Sequence, residues 1–140
     1  MGRRWKPLIA VGVLAIGLAV PAGAFASRLH VNFTVQAVGT GAWQQDRSIS
    51  FTEDVYFQGQ KIGNDSVACR FFKKRNALYC HAVFNLPKGS IFANGWVANN
   101  PTGTFPVTVS NGTNTYTDAK GTVYVTPTKT GDNYRFSFTI

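Results

Sequence analysis

The sequence predicts an all-β domain of about eight short strands behind an N-terminal targeting segment. Three observations carry this. Apolar and polar residues alternate in residues 29–35, 48–57, 104–109, 122–126 and 134–140, the period that puts one strand face inward. Clusters of turn-forming residues separate such runs: Gly39-Thr40-Gly41, Gly63-Asn64-Asp65, Pro87-Lys88-Gly89, Asn99-Asn100-Pro101, Asn111-Gly112-Thr113-Asn114 and Thr130-Gly131-Asp132-Asn133. Helical periodicity is missing beyond the first 26 residues, and one Met against 14 Gly is a poor helix recipe. Turn signals at this spacing fit a sandwich or a barrel. With 44% hydrophobic and 14% aromatic residues the chain can bury a core, which excludes a disordered polymer. Its 140 residues exclude two large domains.

The first 26 residues read as a signal peptide. Arg3, Arg4 and Lys6 make a positive start. The apolar run 8–20 has 13 residues, short of the roughly 20 that span a bilayer. Ala24 and Ala26 are the small residues a signal peptidase selects, so cleavage is expected after Ala26. An uncleaved anchor is the alternative. Residues 27–140 then form a single secreted domain, with no stable membrane insertion once the leader is gone. The whole chain carries a formal charge of +8. Without the three leader cations, 11 basic and 6 acidic side chains remain, a net +5. The one basic cluster, Lys73-Lys74-Arg75, lies in an expected turn. No stripe of cations marks a nucleic-acid binder, so no nucleic-acid partner is expected.

Cys69 and Cys80 are the only cysteines, and export favours a disulfide between them. Two strands flank the polar Lys73-Lys74-Arg75-Asn76 turn. A symmetric turn pairs 73 with 76 and therefore 69 with 80, which sets the Cβ atoms at the roughly 4.5–5.5 Å of opposed residues. Two Cys and two His without CxxC or HxxxH spacing argue against a metal site, and no cofactor motif is present.

Motifs for nucleophilic, metallic or phosphate chemistry are missing. The oddity is Glu53, which shares strand parity with Ile49, Phe51, Val55 and Phe57. If that face points inward, a carboxylate enters an apolar interior. There its pKa rises and it can serve as a catalytic acid or base. The bland alternative is a strand-end residue that reaches water. By the same parity rule Arg70, Tyr79 and His81 share one face of the cysteine hairpin, read as outer surface. Phe33, Phe51, Trp96, Tyr124 and Phe138 lie on strands whose parity could turn them inward, and they are the candidate substrate-binding residues.

Phe51-Thr52-Glu53-Asp54-Val55-Tyr56, followed by Gly59, Ile62-Gly63 and Cys69, resembles the early strands of the allene oxide cyclase and dirigent superfamily. Residues 82–86 followed by Gly89-Ser90-Ile91 and Gly95 are similar to its central segment. Residues 111–121 resemble its G-G-T-G-x-Y/F-x-x-A-x-G signature, with Asn111 and Asn114 replacing the first and last Gly of the turn. Asn is the residue best able to stand in for Gly at positive φ. The resemblance implies an eight-stranded antiparallel barrel with an apolar cavity, and a homo-oligomer, trimer or dimer. It implies a chain that holds a reactive hydrophobic small molecule in one conformer and steers its cyclisation or isomerisation. Residues 29–35 lack the acid found on the first strand of both plant types, so neither plant activity carries over directly. Cys69 matches a cyclase pocket cysteine in position, but a bond to Cys80 removes its thiol. A non-catalytic barrel that binds an apolar ligand, and a structural or interaction protein with a filled interior, are the alternatives.

Overall fold

The computed structural model describes residues 28–140. The expected leader lies outside the described residues. Eight antiparallel strands follow one another around a closed barrel: β1 (His30–Gln45), β2 (Ser48–Phe57), β3 (Gln60–Phe72), β4 (Ala77–Leu86), β5 (Gly89–Ala98), β6 (Phe105–Gly112), β7 (Lys120–Pro127) and β8 (Gly131–Thr139). β8 returns to β1, with Val31 opposite Phe138, Phe33 opposite Phe136 and Val35 opposite Tyr134. That pairing decides for the barrel against the sandwich. It also pairs each described strand with a neighbour on both sides, so the sheet closes on itself. Among the described residues no helix is long and apolar enough to cross a membrane.

The alternation read from the sequence is the inside–outside alternation of the wall. On β8, Tyr134, Phe136 and Phe138 point in and are buried, while Arg135 between them is exposed. In an up-and-down barrel successive turns alternate between the two ends. One end is plugged by rings. Phe33 stacks on Phe136 at 4.7 Å, Tyr116 meets Phe138 at 5.9 Å, and Phe84 meets Phe136 edge-on at 5.0 Å. The other end is open.

Two turn readings give way. Gly39-Thr40-Gly41 lies inside β1, where it makes a bulge against β2; beyond Val38 this strand pairs with β2 alone. Gly63-Asn64-Asp65 lies inside β3, and the true β2–β3 turn is Gln58-Gly59, both at positive φ. Gly63 is there for space, since a Cβ would overlap the carbonyl of Asn85 on β4. The Thr130–Asn133 cluster is a turn only in part, because β8 already begins at Gly131.

The cysteine hairpin forms as the spacing requires. Cys69 sits directly opposite Cys80, the Cα atoms 4.0 Å apart, and the two are disulfide-bonded. A single 3-10 turn, Lys73–Arg75, closes the hairpin, with Asn76 in the left-handed region at φ 46°. Replacing both cysteines by Ala should lower stability by roughly 2–4 kcal/mol. Urea melts of the double variant beside the parent check this, and unchanged midpoints would contradict it.

In the signature segment Asn114 takes the expected positive φ of 53°. Asn111 does not. Its side-chain oxygen instead accepts the backbone N–H groups of Gly112 and Asp118 at 2.8 and 3.0 Å. Tyr116 is buried under this turn.

Candidate functional site

The open end leads into a cavity of about 470 Å³ inside the barrel. Phe51 and Ile49 of β2, Val107 of β6, Val123 and Val125 of β7 and the Cys69–Cys80 disulfide form its apolar wall. Asn100, Pro101 and Thr102 of the β5–β6 loop stand at the mouth. Among the described residues, the only ionisable side chains in the lining are Asp132 and Tyr134 of β8.

Behind them lies a cluster that the barrel register assembles. Glu53 of β2 is paired with Asp65 of β3, so both carboxyls point inward side by side. β1 separates β2 from β8 with only Ala37 and Gly39 at this level, and Ala37 pairs with Asp132. Small residues there, and Gly131 beyond, let the acids of β2 and β8 approach. A Cβ on Gly131 would sit 2.7 Å from Glu53 Oε2. Glu53 and Asp65 are 1% and 0% exposed, which places them wholly inside the protein.

The Tyr134 hydroxyl donates to Glu53 Oε1 at 2.6 Å, and its oxygen lies 3.3 Å from Asp132 Oδ2. One hydroxyl hydrogen serves one of these carboxyls. The other contact becomes a hydrogen bond only when a carboxyl proton is present to donate. Among the described residues, neither oxygen of Asp65 has a hydrogen-bond partner. Among the described residues no cation compensates the cluster. The one ion pair there joins Lys61 to Asp54 at 3.1 Å, and Asp54 is on the outward parity of β2.

Burial therefore governs the protonation. It raises the Glu53 carboxyl to about 9, against the pull of the Tyr134 hydrogen bond and with help from the charges of Asp65 and Asp132. It raises Asp65 to about 7, with the interaction with Glu53 acting the other way. It raises Asp132 as well, again opposed by Glu53 and Tyr134. The Tyr134 phenol is pushed up by burial and by the three neighbouring acids, so it stays a donor throughout the working range. Near neutral pH the cluster holds protons that free carboxyls would have lost.

Glu53 points inward as its parity implied, but it stands behind Tyr134 rather than in the cavity wall. Phe51 is in the wall. Phe33 and Phe138 face inward in the plugged end, outside the cavity lining. Trp96 and Tyr124 are corrected: both face outward. Val123 and Val125 occupy the inner face of β7, and Ala93 and Val97 that of β5, so the residues between them must turn out. There Tyr124 carries the Arg135 guanidinium at 4.1 Å from its ring, and Trp96 carries that of Arg75 at 4.1 Å. Tyr79 and His81 also form outer surface, their rings 5.2 Å apart. Asp65, Asp132 and Tyr134 escaped the sequence reading. The two aspartates lie in Gly- and Asn-rich clusters that read as turns; Tyr134 had a legible signal in the Tyr134, Phe136, Phe138 alternation.

No protein-family model matches the chain, and no curated protein matches it. Among solved structures it is similar to "Pyocyanin demethylase", with a TM-score of 0.68 and 22% identity, over 77% of this chain and 99% of that one. That likeness is one of fold. It supports the barrel that the motif resemblance implied, and it does not extend to membership of the allene oxide cyclase and dirigent superfamily.

Proposed function

We propose that this chain is an exported barrel enzyme that takes a compact, largely apolar aromatic molecule and moves a proton on it, as in an isomerisation or ring closure. One observation carries the reading. An apolar cavity ends on a single polar dyad, Asp132 and Tyr134, backed by two fully buried carboxyls without a counter-cation. The volume of about 470 Å³ falls in the range of small-molecule sites. The walls hold the ligand in one conformer by shape. Asp132 and Tyr134 touch it; Glu53, which accepts the Tyr134 hydroxyl, and its neighbour Asp65 act as positioning residues behind the dyad. A carboxyl with a raised pKa gives and retakes a proton near neutrality better than an ordinary one. Proton removal at one atom and return at another needs no oxidant or reductant. The pyocyanin in the name of the similar solved structure favours an aromatic ligand, and a disulfide suits an oxidising compartment outside the cell.

Residues 28–140 can be titrated with apolar fluorescent probes, with pyocyanin, and with reactive polyenes or epoxides, and the products followed. The parent should bind and convert a member of this set. Asp132→Asn should bind within a few-fold of the parent and turn over about 10²–10⁴-fold more slowly. Tight binding with no turnover in either protein would instead favour the non-catalytic ligand barrel. A cavity that admits none of the probes would overturn both.

A further inference from the structure

The turns at the open end carry more positive charge than those at the plugged end. Around the mouth lie the β1–β2, β3–β4, β5–β6 and β7–β8 turns. They carry Arg47, Lys73, Lys74, Arg75 and Lys129, all exposed, against the single acid Asp46. The turns of the plugged end carry Lys88 and Asp118, which cancel; of the cations flanking them, Lys61 is paired with Asp54, and Arg28 and Lys120 leave a smaller positive excess there.

Three large aromatic side chains are exposed at the same end, against Leu29 and Phe57 at the plugged end. Trp43 is 56% exposed two residues before the end of β1. Phe72, the last residue of β3, and Trp96, near the end of β5, are each 40% exposed. They lie on the outside of the wall, because Trp43 pairs with Ser50 and Trp96 with Tyr79. Phe72, Trp96 and Tyr79 form one run of rings at 5.1 and 5.0 Å, and Trp43, Phe72 and Tyr79 border a common shallow groove. Arg75 lies over the Trp96 ring, which puts a cation at the aromatic edge.

Exposed Trp and Phe beside clustered Lys and Arg is what the boundary between lipid headgroups and acyl chains selects. The rings enter the boundary region while the cations meet anionic headgroups. A nucleic-acid duplex would account for the charge but not for Trp and Phe rings exposed on the outer wall at this end. We propose that the open end is a peripheral docking surface for an anionic lipid bilayer, with the cavity facing the membrane so that an apolar ligand passes from lipid into the barrel without crossing water. The barrel itself stays outside the hydrocarbon. The docking does not depend on what the acid cluster does.

The test is co-sedimentation of residues 28–140 with vesicles of phosphatidylcholine alone and of phosphatidylcholine with phosphatidylglycerol. Binding is expected to the second and not the first, and it should weaken as salt is added, because the headgroup attraction is screened. Tryptophan emission should shift to the blue on binding, since Trp43 and Trp96 are the tryptophans of this part of the chain. The Lys73→Glu/Lys74→Glu/Lys129→Glu variant changes exposed turn residues only. It should melt with the parent and bind about 10²-fold more weakly, from the attraction a bilayer exerts on each surface cation. Trp43→Ala should bind several-fold more weakly with its salt dependence unchanged. Failure to bind the anionic vesicles at low salt would overturn the proposal. So would equal binding to both vesicle types, parent-like binding by the triple variant, or tighter retention by duplex DNA than by vesicles. These outcomes leave the cavity reading intact, because that reading is tested with free ligands.

Discussion

The barrel should lose thermal stability as pH is raised from about 4.5 to about 9, and Glu53→Gln should abolish most of that loss. In the unfolded chain Glu53 gives up its proton near its ordinary value of 4.5, whereas in the barrel it keeps it up to about 9. Asp65 behaves alike between 3.8 and about 7. Across that interval the native state holds more protons than the unfolded one, so stability falls with rising pH. The sign is opposite to that of a salt-bridged carboxylate, which protects a fold above its unfolded pKa and fails in acid. Each tenfold difference in proton affinity between the two states is worth about 1.4 kcal/mol. After relaxation and water entry, a loss on the order of 4 kcal/mol is expected over the full range, which in a domain of this size lowers the Tm by roughly 15 °C. The amide of Glu53→Gln keeps the shape of the acid and has no carboxyl proton to lose, so the variant should melt above the parent at pH 9. Melts at pH 5, 7 and 9 decide it. Parallel curves for parent and variant would show that Glu53 titrates normally.

Gly112→Val should cost at least about 3 kcal/mol, and Gly112→Ala nearly as much. The reason is space rather than a left-handed backbone. A Cβ at 112 would overlap the carbonyl oxygen of Tyr116, sit 2.6 Å from that of Ser90 and lie 2.7 Å from the Tyr116 Cβ. Two of these are backbone atoms. Ser90 O also accepts the Thr113 N–H at 2.9 Å, and the Tyr116 carbonyl accepts the Ala119 N–H at 3.1 Å, so both are held in place. Movement of Tyr116 would in turn disturb its edge contact with Phe138 in the plug. Asn114→Gly is the contrasting change. At φ 53° a glycine is at ease, and its stability should stay within about 1 kcal/mol of the parent. Denaturant melts of the three variants separate the explanations: a tolerated Gly112→Ala would rule out the close approach.

Local pattern alone determined a good deal of this protein. Alternation of period two marked most of the strands and turned Glu53 inward. The offset of Cys69 and Cys80 about a four-residue polar turn specified their bond, because antiparallel register follows from turn length. Asn114 was placed at positive φ by the chemistry of its short amide. These are effects of neighbours along the chain or across one hairpin. The tertiary structure decided whatever depended on more distant strands. Closure came from β1 pairing with β8, two segments about a hundred residues apart, which no hairpin rule reaches. Parity cannot name its own inner face, so Trp96 and Tyr124 were assigned correctly only once Val97, Val123 and Val125 were seen to fill the interior. Asp65 and Asp132 sit among Gly and Asn that favour turns in isolation. They are strand residues because Gly63 and Gly131 let neighbouring backbones come close, which only the packed wall demands. The depth of the cavity likewise depends on where Phe33, Phe84, Phe136 and Phe138 meet. The acid cluster exists because three strands bring carboxyls to one point, and burial, a property of the assembled barrel, then holds their protons.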